Sequence, residues 1–273
     1  MRRSWILILA CVWTGSSPAA FERQSEGVRA AAMGGAGVAV PGESWGAFTN
    51  PAALAGCAGA SVGISLAPAP FGLTELGRSA LAGSVGWGRS AVSIVLLRSG
   101  FDLYRETTIG AAFGCDAGKG VRWGAACTLN TLSIEGYGSG TCWGCDAGFL
   151  WMLAPGVSVG VCAANINSPS VGKSGEDIAR TGAAGIAVSG VFPLTVAFDI
   201  ALDPRFPPEL RLGGEYVVAG SVALRAGVSS DPSALCAGLG LNLLTLDVEY
   251  AFSRHQELGF THRFGLRLHF GGA

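Results

Sequence analysis

Two neighbouring stretches near the C-terminus alternate between apolar and polar residues with the two-residue period of a β-strand. Within residues 244–252 the even positions are Leu, Leu, Val, Tyr and Phe, and the odd positions are Thr, Asp, Glu and Ala. Within residues 260–270, Phe and Leu side chains share one face, whereas Thr, Arg and His lie on the other. Strands with one apolar face and one charged face predict a transmembrane barrel, with lipid outside and a polar interior.

The composition favours the same class of protein. The 273 residues are 49% hydrophobic and only 14% charged, whereas a soluble domain has about 25% charged residues. No segment after the N-terminus has the ~18 consecutive apolar residues of a membrane helix, and a closed barrel is the other backbone that satisfies its hydrogen bonds in lipid. A buried soluble β-fold is the alternative, but it explains the charged strand faces poorly. The net charge of −1 gives no indication of nucleic-acid binding.

The N-terminus has the three parts of a secretory signal. Arg2 and Arg3 are followed by a short apolar core from Trp5 to Val12, and the small residues from Ser16 to Ala20 offer a cleavage site. We predict a cleaved signal peptide over residues 1–20 and export of the remaining chain to the outer membrane of a Gram-negative cell.

The sequence has eight cysteines, of which Cys11 leaves with the predicted signal. Seven remain, an odd number, so at least one thiol is expected to stay unpaired. Cys142 and Cys145 form a C-x-x-C motif, but no helix follows to lower a thiol pKa. A disulfide at the edge of a loop, or two unreacted thiols, are the alternatives, and the sequence does not decide the pairing.

Fourteen strand candidates follow from Ala60 onward, most of them near the ~9–11 residues that a tilted strand needs to cross a bilayer. They lie near residues 60–66, 80–88, 90–98, 103–114, 120–132, 143–152, 156–165, 180–189, 194–202, 209–218, 221–229, 234–242, 244–252 and 260–270. Connections after odd-numbered strands are mostly long or polar, and most of the others are tight, which is typical of outer-membrane barrels. We therefore predict an all-β chain whose residues 58–273 form a transmembrane antiparallel β-barrel of about 14 strands.

Aromatic residues lie at the ends of these strands, where the girdles of a membrane barrel are expected. The set is Trp87, Trp123, Trp151 and Tyr216 at the short-turn ends, and Tyr104, Trp143 and Tyr250 at the long-loop ends.

Residues 21–57 differ from the rest of the chain, since they are rich in Ala and Gly and show no strand alternation. Small residues suit a segment that packs tightly against other backbone, as a plug folded into a barrel would. The stretch 27–44 (GVRAAAMGGAGVAVPGES) resembles the start of the FadL/PorV group of outer-membrane proteins, and Asn50, Pro51 and Ala52 resemble its Asn-Pro-Ala element. Residues 259–264 are similar to the last strand of the PorV/PorQ branch. The resemblance implies a 14-stranded barrel whose residues 21–57 fold into the lumen as a hatch.

Two matches to the G-x-S-x-G nucleophile pattern, at residues 59–63 and 156–160, are each followed by more strand or an irregular loop. That pattern requires a strand-to-helix elbow, so catalysis is not expected. His255, His262 and His269 are seven residues apart, which places neighbours on opposite strand faces. We predict no enzymatic activity, no cofactor and no metal site.

Charged residues of several strands share the inward parity: Asp199, Arg211, Glu215, Arg225, Asp247, Glu249, Arg263 and Arg267. If the last hairpin pairs symmetrically about residues 253–259, Glu249 lies opposite Arg263, in a contact worth roughly 0.2–1 kcal/mol. These charges either hold the hatch and one another or line a substrate path. We predict that Glu249→Ala is mild and that Leu246→Arg, facing mid-bilayer lipid, is severe.

The resemblance implies one of two functions. A FadL-like barrel would pass hydrophobic small molecules across the outer membrane, with lipid and such a ligand as its partners. A barrel of the PorV/PorQ kind would instead be an interaction protein for the secretion or surface attachment of other proteins.

Overall fold

A computed structural model describes residues 20–22, 25–172, 176–190 and 193–271. The predicted signal peptide lies outside the described residues, apart from Ala20. Fourteen antiparallel strands form one closed barrel. They are β1 (Gly59–Ala67), β2 (Arg78–Trp87), β3 (Ser90–Gly100), β4 (Tyr104–Gly118), β5 (Val121–Ile134), β6 (Gly138–Ala154), β7 (Val157–Ala164), β10 (Thr181–Ser189), β11 (Leu194–Leu202), β12 (Glu209–Val218), β13 (Val222–Ser230), β14 (Ser233–Leu243), β15 (Leu246–His255) and β16 (Gly259–Phe270).

Each predicted strand is confirmed, with ends that differ by a few residues. The loop after β7 also contains a small pair of strands that the sequence did not indicate, β8 (Ser170–Val171) and β9 (Glu176–Asp177). The barrel closes where β1 pairs with β16, and Val62 lies opposite Leu268 in that pairing. Because every strand has two hydrogen-bonded neighbours, the barrel has no free sheet edge.

The outer surface of the barrel is apolar along every strand. The large exposed hydrophobic side chains alternate with buried ones, as in β3, where Ile94 is 67% exposed and the adjacent Val95 is 1% exposed. Trp87 and Trp143, from opposite ends of the barrel, also point outward. An outward apolar band bordered by aromatic side chains is the surface of a protein that crosses a bilayer with strands. Among the described residues, no helix has the length and apolar character required to cross a membrane.

The register of the last hairpin differs from the symmetric pairing expected from the sequence. Arg263 lies opposite Ala251, and Asp247 lies opposite Arg267. The expected pairing of Glu249 with Arg263 is therefore wrong, because β15 continues to His255 and the turn covers only the three residues before Gly259. A register shift of this size keeps each side chain on its face and changes its cross-strand partner.

Residues 25–57 lie inside the barrel. They contain the single-turn helix α1 (Val28–Ala32) and a 3₁₀ helix, Pro51–Gly56. Helix α1 contacts β13, β14, β15 and β16, whereas the 3₁₀ helix contacts β2 to β6 across the lumen. Two further 3₁₀ turns, Pro70–Gly72 and Thr74–Leu76, lie in the loop after β1.

Candidate functional site: the barrel lumen

The predicted Asn-Pro-Ala element begins the 3₁₀ helix of the N-terminal segment. Asn50 is fully buried, and its side-chain oxygen accepts a hydrogen bond from the backbone N–H of Ala52 at 3.0 Å. Its amide group donates to the carbonyl oxygens of Val38, at 2.8 Å, and Phe149, at 3.2 Å. Asn50 therefore caps the helix and ties two parts of the segment to the wall strand β6. Pro51 suits the first helical position because its missing N–H would have no partner there.

A row of three glycines receives this helix. Gly114, Gly124 and Gly148 lie side by side on β4, β5 and β6, since Gly124 is paired with each of the other two. A Cβ atom at Gly114 would lie 2.8 Å from the Pro51 carbonyl oxygen, and one at Gly124 would overlap the backbone of Pro51 and Ala52. Only glycine permits so close an approach of two backbones. We call this row the glycine seat.

Aromatic side chains of the segment pack beside the glycine seat. Trp45 and Phe48 are buried in a cluster with small inward residues of β2 to β5, including Ala82 and Ala112. The small wall residues leave room for the two rings, so the segment fills this part of the lumen with apolar contacts.

On the opposite side of the lumen the segment is held by charges. The carboxylate of Glu215 accepts hydrogen bonds from Arg29 at 2.7 Å and 3.0 Å and from Arg225 at 2.7 Å. Arg225 also donates to Glu249 at 2.7 Å. Arg29 lies in α1, so these bonds join the segment to β12, β13 and β15. We call Glu215, Arg225 and Glu249 the charged seat.

Arg267 and Arg263 extend this network along β16. Arg267 lies 3.4 Å from Asp247, 3.5 Å from Glu249 and 3.9 Å from Glu43 of the N-terminal segment. The guanidinium group of Arg263 donates to the carbonyl oxygen of Ser25 at 3.1 Å and lies 3.5 Å from Glu26. Glu26 also forms an ion pair with Arg78 at the start of β2.

The two remaining predicted charges also contact the segment. Asp199 is fully buried and accepts the backbone N–H groups of Gly37, at 2.7 Å, and Val38, at 2.9 Å. Arg211 donates to Ser25 at 3.2 Å and to Glu209 at 2.6 Å. All eight predicted inward charges thus have polar partners, and five of them touch the N-terminal segment directly: Asp199, Arg211, Glu215, Arg263 and Arg267.

Sequence reasoning missed the partners on the segment itself, which are Glu26, Arg29 and Glu43. All three are charged residues within a stretch that is otherwise rich in Ala and Gly. That contrast is the sequence signal that could have identified them. Burial disfavours the charged form of Arg29, but the carboxylates of Glu215 and Glu43 outweigh it, so the pKa of Arg29 is raised. Burial, and then the Glu43 carboxylate, raise the pKa of the Cys57 thiol to about 12. Arg29 therefore stays charged and Cys57 stays protonated at neutral pH.

The lumen has a cavity of about 360 Å³ at the long-loop end. Loop residues form its upper wall, among them Phe71, Phe206 and Leu258, and the segment residues Val38 and Phe48 form its inner boundary. Polar groups enter it as well, including Asp203, Glu209, Arg211 and His255. A largely apolar cavity with a few polar groups is typical of a site for a small hydrophobic molecule.

The serines of the two G-x-S-x-G matches have structural partners. Ser61 lies in β1 and shares a hydrogen bond with Ser84 at 2.9 Å. Ser158 lies in β7 and donates to the carbonyl oxygen of Ala39 in the N-terminal segment at 2.7 Å. Neither serine lies at a strand-to-helix elbow. Within the described part of the chain, no group of three His, Cys, Asp or Glu side chains is arranged to hold a metal ion.

Solved structures with a similar architecture include transport proteins. The Ralstonia pickettii toluene transporter TbuX is 12% identical, with a TM-score of 0.71 over 92% of this chain and 100% of that chain. The Pseudomonas putida toluene transporter TodX is 14% identical, with a TM-score of 0.66 over 89% and 96%. A Pseudomonas aeruginosa FadL homologue is 13% identical, with a TM-score of 0.59 over 88% and 97%.

The chain has the fold of FadL-type outer-membrane barrels. The fold implied by the sequence resemblance is therefore confirmed. No protein-family model matches this chain, and no curated protein matches it in sequence.

Proposed function

We propose that this barrel passes hydrophobic small molecules across the outer membrane, and that residues 25–57 act as its hatch. The cavity of about 360 Å³ at the long-loop end carries this proposal, because its inner boundary is the N-terminal segment itself. A molecule that enters between the loops meets Val38 and Phe48 before it reaches the other end of the barrel. TbuX and TodX, whose structures are similar, are toluene transporters. This similarity supports hydrophobic molecules as the substrate class of this barrel.

The segment has the contacts expected of a movable part. Its charged contacts, such as Arg29 with Glu215, can exchange with water, and its apolar contacts with the wall are divided among several separate clusters. In this proposal, a ligand in the cavity displaces Phe48 and the backbone around it, and a route to the other end of the barrel opens past the segment. No chemical step is required.

A matched pair of substitutions on β10 tests the passage. Ala183 lines the cavity, whereas Ala184 is exposed on the outer face. Cells that lack the chromosomal gene would carry the wild type, Ala183→Trp or Ala184→Trp, and the initial uptake of labelled toluene and of a labelled long-chain fatty acid would be measured. Ala183→Trp should reduce uptake severalfold because the indole fills the cavity, and Ala184→Trp should match the wild type. Equal uptake of both hydrophobic substrates with and without the gene would refute the proposal.

The alternative role in protein secretion or surface attachment has no supporting feature among the described residues. The cavity and its boundary by the N-terminal segment favour passage of a small molecule instead.

A further inference from the structure

One pair of cysteines lies on the outer wall of the barrel, away from the lumen. Cys127 of β5 and Cys145 of β6 lie directly opposite each other in the strand register. Cys127 is exposed and Cys145 is partly exposed, and both side chains point to the outer face. Within the described residues, no other two cysteines lie opposite each other on paired strands.

The backbone geometry of this pair suits a disulfide. The N–H of Cys145 donates to the side chain of Asn167 at 2.8 Å, and its carbonyl oxygen accepts from the N–H of Ile166 at 2.9 Å. Both backbone groups of Cys145 therefore point away from β5, so Cys127 and Cys145 form a non-hydrogen-bonded pair. Such pairs have Cα atoms about 4.5 Å apart and the closer side chains, within the ~4.4–6.8 Å range of natural disulfides.

The C-x-x-C motif noted in the sequence does not give this pairing. Cys142 and Cys145 both lie within β6, and neither lies at the edge of a loop as expected. Three residues of strand place them on opposite faces, with Cys142 buried on the inner face and Cys145 on the outer face. Cys142 packs instead with Leu132, Val171 and Ile178.

We propose that Cys127 and Cys145 form a disulfide in the exported protein. The pair lies in the middle of β5 and β6, beside the end of β7 at Ala164, where Asn167 contacts Cys145. The oxidant is a thiol oxidoreductase that carries a disulfide, which is a class of protein found in oxidising compartments. Its disulfide takes two electrons and two protons from the thiols and leaves as a dithiol, while one S–S bond forms between Cys127 and Cys145. The bond would cross-link β5 to β6 where β6 extends beyond its pairing with β7.

Peptide mapping of protein extracted from the outer membrane tests the proposal. Cells with an intact periplasmic thiol-oxidation system would be lysed in an alkylating reagent without a reductant, and the protein would be digested with chymotrypsin. Cleavage after Trp123, Leu129, Trp143 and Phe149 separates all three cysteines. We expect peptide 124–129 linked to peptide 144–149, and Cys142 alkylated. After reduction, the linked species should disappear and both peptides should become alkylated.

Two serine variants provide the controls. Cys127→Ser should leave Cys145 alkylated, whereas Cys142→Ser should leave the linked peptides unchanged. Both Cys127 and Cys145 alkylated in the wild-type protein would overturn the proposal, and so would a link from Cys145 to Cys142. The result is independent of whether the barrel transports any molecule.

Discussion

Two of the places at which the N-terminal segment contacts the barrel wall differ in the physical means of the contact. At the glycine seat the 3₁₀ helix lies against bare backbone, and a Cβ atom at Gly124 would overlap Pro51. At the charged seat Arg29 is held by the carboxylate of Glu215. Close backbone packing fixes a position through shape and tolerates no added atom. An ion-pair network can exchange partners, and its buried members are screened by salt much less than exposed pairs are. It follows that the 3₁₀ helix is positioned by shape, whereas α1 is held by charges in addition to close packing, since a Cβ atom at Gly213 or Gly227 would also overlap the backbone of Met33.

The largest expected effect is at the glycine seat. In Gly124→Val the new side chain meets the backbone of Pro51 and Ala52, which no rotamer change can relieve. We expect the seated segment to lose at least about 3 kcal/mol, the upper part of the range for an overpacked core. Limited proteolysis of the detergent-purified barrel should then cleave within residues 25–57, whereas the wild type resists.

Gly214→Val provides the control for this substitution. Gly214 follows the inward-facing Gly213 in β12 and faces outward. A Cβ atom at Gly214 would approach only the Thr195 carbonyl oxygen, at 3.9 Å. In the Gly214→Val variant, residues 25–57 should resist proteolysis as well as they do in the wild type. Equal protection in Gly124→Val and Gly214→Val would show that the segment does not depend on the glycine seat.

The two sides of the barrel wall are expected to differ only on their inner faces. Ile94 lies on the outer face of β3, whose inner face contacts the 3₁₀ helix. Leu266 lies on the outer face of β16, whose inner face contacts α1. Each is four residues from the short-turn end of its strand. Arginine at either position should cost roughly 2–4 kcal/mol of folding free energy, the cost at the bilayer midplane.

Folding into lipid vesicles followed by urea titration measures these costs. Leu246→Arg is the matched control, because Leu246 is the first residue of β15 and lies at a membrane interface. Its expected cost is only about 0–1 kcal/mol. If the costs of Ile94→Arg and Leu266→Arg differed by more than their errors, the two sides of the wall would differ on their outer faces as well.

Much of the fold follows from the sequence because a strand period needs only local information. Each of the fourteen strands has apolar residues at alternate positions, and this pattern predicts the face of Leu246 correctly. The alternation does not predict how deep in the bilayer a residue lies. Because Leu246 lies at the end of a strand, the severe effect expected from the sequence for Leu246→Arg does not fit its position. The register of a hairpin depends on the length of its turn, which the alternation does not give. The sequence therefore indicates the wrong partner, Arg263, for Glu249. Glu249 also pairs with Arg225 and Arg267, so Glu249→Ala should be less mild than the sequence indicated.

The lumen was less predictable than the wall. The inward parity identified the wall charges, but their partners Arg29 and Glu43 lie more than 150 residues away in sequence from Glu215. The glycine seat has the same limitation, since Gly114, Gly124 and Gly148 are common residues in a chain with 43 glycines. Only the strand register brings them into one row.

The smallest effect is expected at the charged seat. In Glu215→Gln, Arg29 retains Glu43 at 3.5 Å and Arg225 retains Glu249 at 2.7 Å, so neither guanidinium group loses every carboxylate. We expect a loss of about 1.5–3 kcal/mol, the worth of hydrogen bonds to a charged group. Hydrogen exchange of residues 25–57 should be faster in the variant than in the wild type at the same ionic strength. Asp102→Asn removes an exposed pair with Arg105 far from α1 and should leave the exchange unchanged. If Glu215→Gln also left it unchanged, close packing and the remaining polar contacts would hold the segment, and Glu215 would serve only the wall.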